Sequence, residues 1–166
     1  MKLSYKSIVY DIENLAYAIA DTGEAGRHTL HRVRDICQDG NIDRVARILG
    51  LAYSNILTVL LPVLSPPRFN PDKDQSATPH DYNLKLREDA SLKYMLTKER
   101  KLKIKETSHE YMVAMALADW LGITLPEAAD VWKFRAETAL DSLKELVSSV
   151  IASSFSASLT RKISPL

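Results

Sequence analysis

The sequence has little of what most catalytic and membrane motifs require: one cysteine, Cys37, and five scattered glycines in 166 residues. A single thiol excludes an intramolecular disulfide and a cysteine-based metal cluster, and it fits a reducing compartment. Isolated glycines form neither a phosphate-binding loop nor a dinucleotide fingerprint. No nucleophile elbow is present either. These absences exclude the enzyme classes that have the clearest sequence motifs, and we expect a protein that is not an enzyme.

Membrane-spanning and secretory features are also scarce. The most apolar run, residues 56–64, is about nine residues long, whereas a bilayer-spanning helix needs roughly twenty. Residues 1–6 lack the apolar core of a signal peptide. We therefore expect no membrane segment and a protein that is cytoplasmic when synthesised.

Charge is nearly balanced, with 22 Lys and Arg against 21 Asp and Glu, a net charge of +1. This balance argues against strong unspecific attraction to nucleic acid or to anionic membranes. Residues 93–105, here called the lysine strip, hold six Lys and Arg against Glu99 alone. The strip has two interpretations: a nucleic-acid contact that includes Tyr94, or the outward lysines of an alternating strand.

Helical periodicity dominates the chain, and 46% of its residues are apolar. The pattern predicts one mainly α domain, residues 1–166: a bundle of four to five helices with a small β-strand or hairpin arm between the helical halves. The predicted helices cover residues 5–20, 25–38, 41–62, 108–121 and 125–152. Gly50, inside the third helix, indicates close helix packing there. The predicted core comprises Ile12, Leu49, Ile56, Leu60, Val113, Leu117, Trp120, Trp132, Leu143 and Leu146.

Two helix-start signatures mark the C-terminal half. Thr107 precedes Glu110 by three residues, and Thr124 precedes Glu127 in the same way. In a capping box the Thr hydroxyl and the Glu carboxylate each satisfy a free N–H group of the first turn. The two signatures predict one helix starting near residue 108 and a longer one starting near residue 125, with a glycine-containing turn between them.

The two remaining segments do not follow helical periodicity. Residues 65–106 are predicted to form an inserted loop and β arm, because a proline-rich stretch is followed by alternation in Tyr82–Arg87. Such a strand needs a partner, which a hairpin or a neighbouring chain can supply. Residues 153–166 are predicted to form an extended C-terminal tail whose apolar residues dock on something else.

One cluster has the residue types of a metal site. Glu24, His28, His31 and Asp35 are spaced by four, three and four residues, so a continuous helix presents them on one face. Imidazoles and carboxylates are ligands for zinc and iron. The alternative is a solvated face, because nearby arginines can pair with the carboxylates and a second Glu-x-x-His helix is missing. We favour the solvated face and predict no metal, cofactor or catalytic residue.

One segment of the C-terminal half runs from Ser108-His109-Glu110-Tyr111-Met112-Val113-Ala114 through Ala118-Asp119-Trp120-Leu121-Gly122-Ile123-Thr124 and is followed by Pro126-Glu127-Ala128-Ala129. This segment resembles small helical proteins of tailed-phage and prophage structural modules. These include the head–tail connector or adaptor type. The final Arg161-Lys162-Ile163-Ser164-Pro165-Leu166 resembles their short basic tails. The likeness covers about 60 residues in the C-terminal half. It implies a non-enzymatic assembly component, such as a virion protein, that forms rings with an arm reaching a neighbour.

We therefore expect a structural protein that binds itself as a homo-oligomer, such as a ring, and other structural proteins. The alternatives are a metal-binding protein or enzyme using His28 and His31, and a nucleic-acid-associated regulator using the lysine strip. The predicted oligomer interface comprises Tyr82, Leu84, Leu86, Leu102, Ile104, Leu159, Ile163 and Leu166.

Overall fold

The computed structural model describes residues 1–22, 27–65, 81–87, 92 and 94–163, and their side chains except those of residues 27, 28 and 155–163. The prediction of a mainly α fold with a small β element is confirmed. The elements are β1 (Lys2–Leu3), α1 (Tyr5–Thr22), α2 (Arg27–Arg34), α3 (Ile42–Leu60), β2 (Tyr82–Asn83), α4 (Lys98–Thr124) and α5 (Pro126–Ile163). Short 3₁₀ turns, Asp35–Cys37 and Leu61–Val63, follow α2 and α3.

Helix α4 is the centre of the fold. Its most extensive contacts are with α5, and it also packs against α1, α2 and α3. Only Leu125 separates α4 from α5, so the chain turns back on itself within one residue. Between residues 111 and 121 nearly every α4 side chain is buried, as expected for a helix with neighbours on several sides. Nine of the ten predicted core residues are buried, and Leu146 is half-buried.

The two predicted capping boxes are wrong. Thr107 is buried in the middle of α4, because that helix begins ten residues earlier than predicted. The actual N-cap is Thr97, whose side-chain oxygen accepts a hydrogen bond from the Arg100 backbone N–H at 3.3 Å. Thr124 ends α4 and donates its hydroxyl hydrogen to the carbonyl of Trp120 at 3.0 Å. The next helix begins close to the predicted position because Pro126 suits a first helical residue.

The β element differs from the predicted hairpin arm. Strand β2 pairs antiparallel with β1 at the start of the chain, with Leu3 opposite Tyr82. Leu86 forms an isolated bridge with Leu64. The strand therefore finds its partner within its own chain and needs no neighbouring subunit. Ile104, which falls in the predicted β arm of residues 65–106, lies instead in α4.

The ends of several helices also depart from prediction. Helix α5 continues to Ile163, so residues 153–163 are helical rather than an extended tail. Helix α2 ends at Arg34 and tightens into a 3₁₀ turn. The predicted polar loop lies almost wholly in residues 66–80, and the chain end in residues 164–166; both lie outside the described residues.

Among the described residues, one segment of 22 residues, Ile42–Val63, is long and apolar enough to cross a bilayer by length and composition alone, with a mean hydropathy of 1.5 in its most apolar window. The expectation of no membrane segment stays a prediction, because a core helix of a soluble protein can have the same length and composition. The apolar run of residues 56–64 is shorter, and the longer segment also contains Asp43, Arg44 and Arg47 with several small polar residues. In this fold Leu49, Ile56 and Leu60, on the inward side of the segment, are fully buried.

Candidate functional site

The first candidate site is the outward side of α3. Between residues 48 and 64 the sequence has no charged side chain. Its inward residues are buried, but only 28% of the most apolar window is buried overall. Leu51 is 57% exposed and Leu61 66% exposed. We call the surface formed by Gly50, Leu51, Ser54 and Thr58 of α3, together with Leu61 of the 3₁₀ turn that follows, the α3 face.

Gly50 gives the α3 face an unusual shape. Apart from the backbone of its own helix, a methyl group built on Gly50 meets no described atom within 4 Å, so the close packing predicted there does not occur among the described residues. Glycine inside a helix costs about 0.5–1 kcal/mol relative to alanine. Ser54 and Thr58 follow at four-residue spacing, and their hydroxyl groups donate to the carbonyls of Gly50 and Ser54 on the same helix. The face is therefore shallow and uncharged, and its polar groups are already hydrogen-bonded.

The second candidate site is an open cleft of about 400 Å³ between α1, α4 and α5. Its floor and walls are mainly apolar, and several polar groups converge on its rim. This combination is typical of ligand-binding clefts. The lining residues are Asp11, Asn14, Leu15, His109, Glu110, Val113, Ala114, Trp132 and Arg135.

The polar groups of the cleft are held in defined positions. Asp11 Oδ2 lies 2.7 Å from His109 Nε2, and this contact joins α1 to α4. The Arg135 guanidinium lies over the Trp132 ring, 4.7 Å from its centroid. An imidazole oriented by a carboxylate is the base half of a catalytic triad, but a triad also needs a nucleophile. The described lining contains no Ser, Thr, Cys or Lys that could be this nucleophile.

Cys37 is poorly suited to nucleophilic chemistry. Burial, with a smaller contribution from the negative charge of Glu13, raises the pKa of its thiol from 9.0 to about 12. A thiol with such a pKa remains protonated at neutral pH, whereas the reactive species is the thiolate.

The predicted oligomer-interface residues whose side chains the structure describes differ widely in exposure. Leu84 and Ile104 are fully buried in this chain's core, so neither presents a side chain to a second subunit. Tyr82 and Leu86 are half-buried, and the Tyr82 ring packs against Tyr53 with 4.8 Å between centroids. Leu102, which is 55% exposed, is the accessible member among those with described side chains. The side chains of Leu159 and Ile163, and all of Leu166, lie outside the described part.

The predicted metal cluster is only partly described. Glu24 and the side chain of His28 lie outside the described residues. His31 Nδ1 lies 3.1 Å from Asp35 Oδ2, and the His31 side chain is largely exposed. Within the described residues, no group of three or more His, Cys, Asp or Glu side chains is arranged to hold a metal ion.

Sequence reasoning missed both sites that the structure presents. Asp11 and His109 are 98 residues apart, so no local spacing predicts that they meet. The sequence does contain a signal for the α3 face, because residues 48–64 carry no charge although the helix buries only one side. Comparisons with known proteins add nothing to this assignment, because no protein family, curated protein or solved structure matches the chain.

Proposed function

We propose that this protein is a non-enzymatic assembly protein that forms a homo-oligomer through the α3 face. The observation that carries the proposal is the exposure of Leu51 and Leu61 on a helix surface that lacks charge from residue 48 to residue 64. Large exposed apolar side chains on one uncharged surface mark protein contacts. The stretch is about 25 Å long at 1.5 Å per residue, which matches helix-to-helix packing.

The shape of the face favours a second copy of the same helix. Gly50 leaves space in which another helix can approach, and the small side chains of Ser54 and Thr58 make the neighbouring surface shallow. Leu51 and Leu61 flank this low region and can pack against the partner. Fully burying a leucine side chain contributes about 1.5–3 kcal/mol, so two leucines from each copy supply a useful part of an association energy.

Charged residues in the first turns of α3 favour an antiparallel arrangement of the two copies. Asp43 and the exposed Arg47 lie near the start of α3, and no charged residue follows until after Leu64. Parallel packing places Arg47 beside the partner's Arg47, and like charges repel. Antiparallel packing about a two-fold axis near Ser54 places Arg47 near the uncharged end of the partner helix. Such self-complementary contacts are the commonest kind in homo-oligomers.

The experiment is the solution mass of the intact protein by light scattering across a concentration series. We expect a homo-oligomer whose mass falls toward that of the monomer in Leu51→Glu and Leu61→Glu. Val131→Glu is the matched control, because Val131 is 62% exposed on α5. A monomer at every concentration up to the millimolar range contradicts homo-oligomerisation. An oligomer that survives both leucine changes refutes the assignment to α3.

We further propose that the assembly belongs to a phage or prophage particle, as a component of head–tail connector type. The support is the sequence resemblance of residues 108–129, which form the end of α4 and the start of α5. Mass spectrometry of particles induced from the source strain tests this proposal. The protein is expected in purified particles at a fixed copy number, and its absence from intact particles contradicts a virion role.

A further inference from the structure

Positive charge is concentrated in one part of this nearly neutral chain. Residues 85–105 carry eight Lys and Arg against three Asp and Glu, a net charge of +5, so the remainder of the chain carries −4. Residues 98–105 are helical, so their lysines do not alternate with core residues along a strand edge. The strand interpretation of the lysine strip therefore does not account for these charges.

The fold places four lysines, three on α4 and one in the segment after β2, on one part of the surface. Lys98, Lys101 and Lys105 lie within about 60° of one another around α4, at positions i, i+3 and i+7. They extend about 10 Å along the helix axis. Lys101 and Lys85, which follows β2, line the same open cavity of about 380 Å³ together with Ser65. The cavity is therefore flanked by cations from both elements.

These lysines are not neutralised within the described part of the chain. None of the four forms an ion pair with a described carboxylate, whereas Lys133 and Lys144 on α5 pair with Asp130 and Asp141 at 2.9 and 2.7 Å. Lys98 and Lys101 also lie in the first turns of α4, where the helix dipole favours negative charge. A polyanion beside them relieves both unfavourable features.

An aromatic side chain lies just before the first of these lysines. Tyr94 is 70% exposed in the turn that precedes α4. The turn is fixed, because the Arg100 side chain donates to the carbonyl of Met95 at 2.9 Å and the Leu96 N–H donates to the carbonyl of Leu92 at 2.8 Å. An exposed ring in such a turn, four residues before Lys98, offers stacking for an unpaired base.

We propose that the surface formed by Lys85, Tyr94, Lys98, Lys101 and Lys105, here called the basic surface, binds single-stranded nucleic acid. The lysines contact successive phosphates and the Tyr94 ring stacks on a base. Single strands fit better than duplex because a base must be accessible for stacking, and stacking also distinguishes a nucleic acid from a merely anionic surface. This binding is separate from the α3 face and does not depend on homo-oligomerisation.

The test measures the fluorescence anisotropy of labelled dT12 with the full-length protein over a range of salt concentrations. Four phosphate contacts predict a slope of about −2.8 in a plot of log K against log salt, since each contact to a single strand contributes about −0.7. Changing Lys85, Lys101 and Lys105 together to Gln should reduce this slope to about −0.7. The matched control changes Lys133 and Lys144 to Gln, which removes lysine charge from α5 and should keep a slope close to that of the unaltered protein.

Tyr94→Ala separates stacking from charge. We expect it to weaken dT12 binding by at least about fivefold with little change in the salt slope. Circular dichroism of each variant verifies that these surface changes leave the helices intact. Equal losses in the α5 control refute the assignment to the basic surface, and so does an unchanged affinity in Tyr94→Ala. Tighter binding to duplex of the same length, or to vesicles containing phosphatidylglycerol, than to dT12 overturns the choice of ligand.

Discussion

Asp11 Oδ2 lies 2.7 Å from His109 Nε2, a contact that joins the first turns of α1 to the middle of α4 across 98 residues of sequence. Both side chains are partly exposed on the rim of the cleft between α1, α4 and α5. Such a contact positions helices more than it stabilises them, because water competes for both groups. It fixes the width of the cleft where its floor meets α1.

This relationship predicts a modest coupling energy between the two residues. In a double-mutant cycle with Asp11→Ala and His109→Ala, we expect a coupling of about 0.5–1 kcal/mol in the free energy of unfolding. Urea denaturation of the four proteins measures it. Asn14→Ala, a neighbouring change in the same cleft, should show no coupling to His109→Ala. Coupling near zero in the His109–Asp11 cycle means that the contact does not hold α1 in place.

Trp120 should be more sensitive than Trp132 to loss of its indole N–H. The Trp120 Nε1–H donates to the carbonyl of Val33 at 3.0 Å in a buried position, which ties α4 to α2. Trp120→Phe leaves that carbonyl without its partner, and we expect a loss of about 1–3 kcal/mol in the free energy of unfolding. Trp132→Phe is the comparison, because no described acceptor receives its indole hydrogen. Equal losses from the two changes contradict a stabilising role for the Val33 hydrogen bond.

The sequence predicted elements that depend on local pattern and failed where distant partners decide. The apolar stripes of α1 and α3 placed both helices to within about two residues at most boundaries, because each stripe is repeated over several turns. Strand β2 could not be assigned its partner, since β1 lies about eighty residues earlier and both strands are two residues long. Thr107 had the sequence of a cap but lies inside α4, because burial of the surrounding apolar residues outweighs a local capping preference.

The candidate sites were harder to predict for the same reason. The cleft depends on α1, α4 and α5 meeting, which no sequence spacing encodes. The basic surface was visible as the lysine strip, but its geometry depended on whether residues 98–105 form a strand or a helix. Gly50 is evident in the sequence, but whether its surroundings are filled or empty is a property of tertiary packing.

Cys37 should react slowly and should make stability fall at high pH. Its thiol pKa is raised to about 12 from 9.0. The folded state therefore keeps the proton between these values while the unfolded state loses it, so the stabilisation present below pH 9 is lost as the pH rises toward 12. At pH 8 the thiolate fraction is roughly a thousandfold below that of an ordinary cysteine, and reaction with a disulfide reagent slows accordingly.

Two further measurements test this prediction about Cys37. The same thiol should react at the ordinary rate in 6 M guanidinium chloride, where burial is lost. Cys37→Ala should flatten the decline in unfolding free energy above pH 9 relative to the unaltered protein. Rapid modification of the folded protein at pH 8 contradicts the burial of the thiol.

A substitution at Gly50 should stabilise the single chain while weakening the association of two chains. Because a Cβ at Gly50 meets nothing within 4 Å, Gly50→Leu should raise the unfolding free energy of the isolated chain by about 0.5–1 kcal/mol through helix propensity. The same side chain fills the space into which the second helix packs, so the dissociation constant of the oligomer should rise at least about tenfold. Gly122→Leu is the control, because Gly122 lies in α4 with equally open surroundings and should stabilise the chain without weakening association. If ultracentrifugation shows the same dissociation constant for Gly50→Leu and the unaltered protein, the oligomer contact lies on another surface.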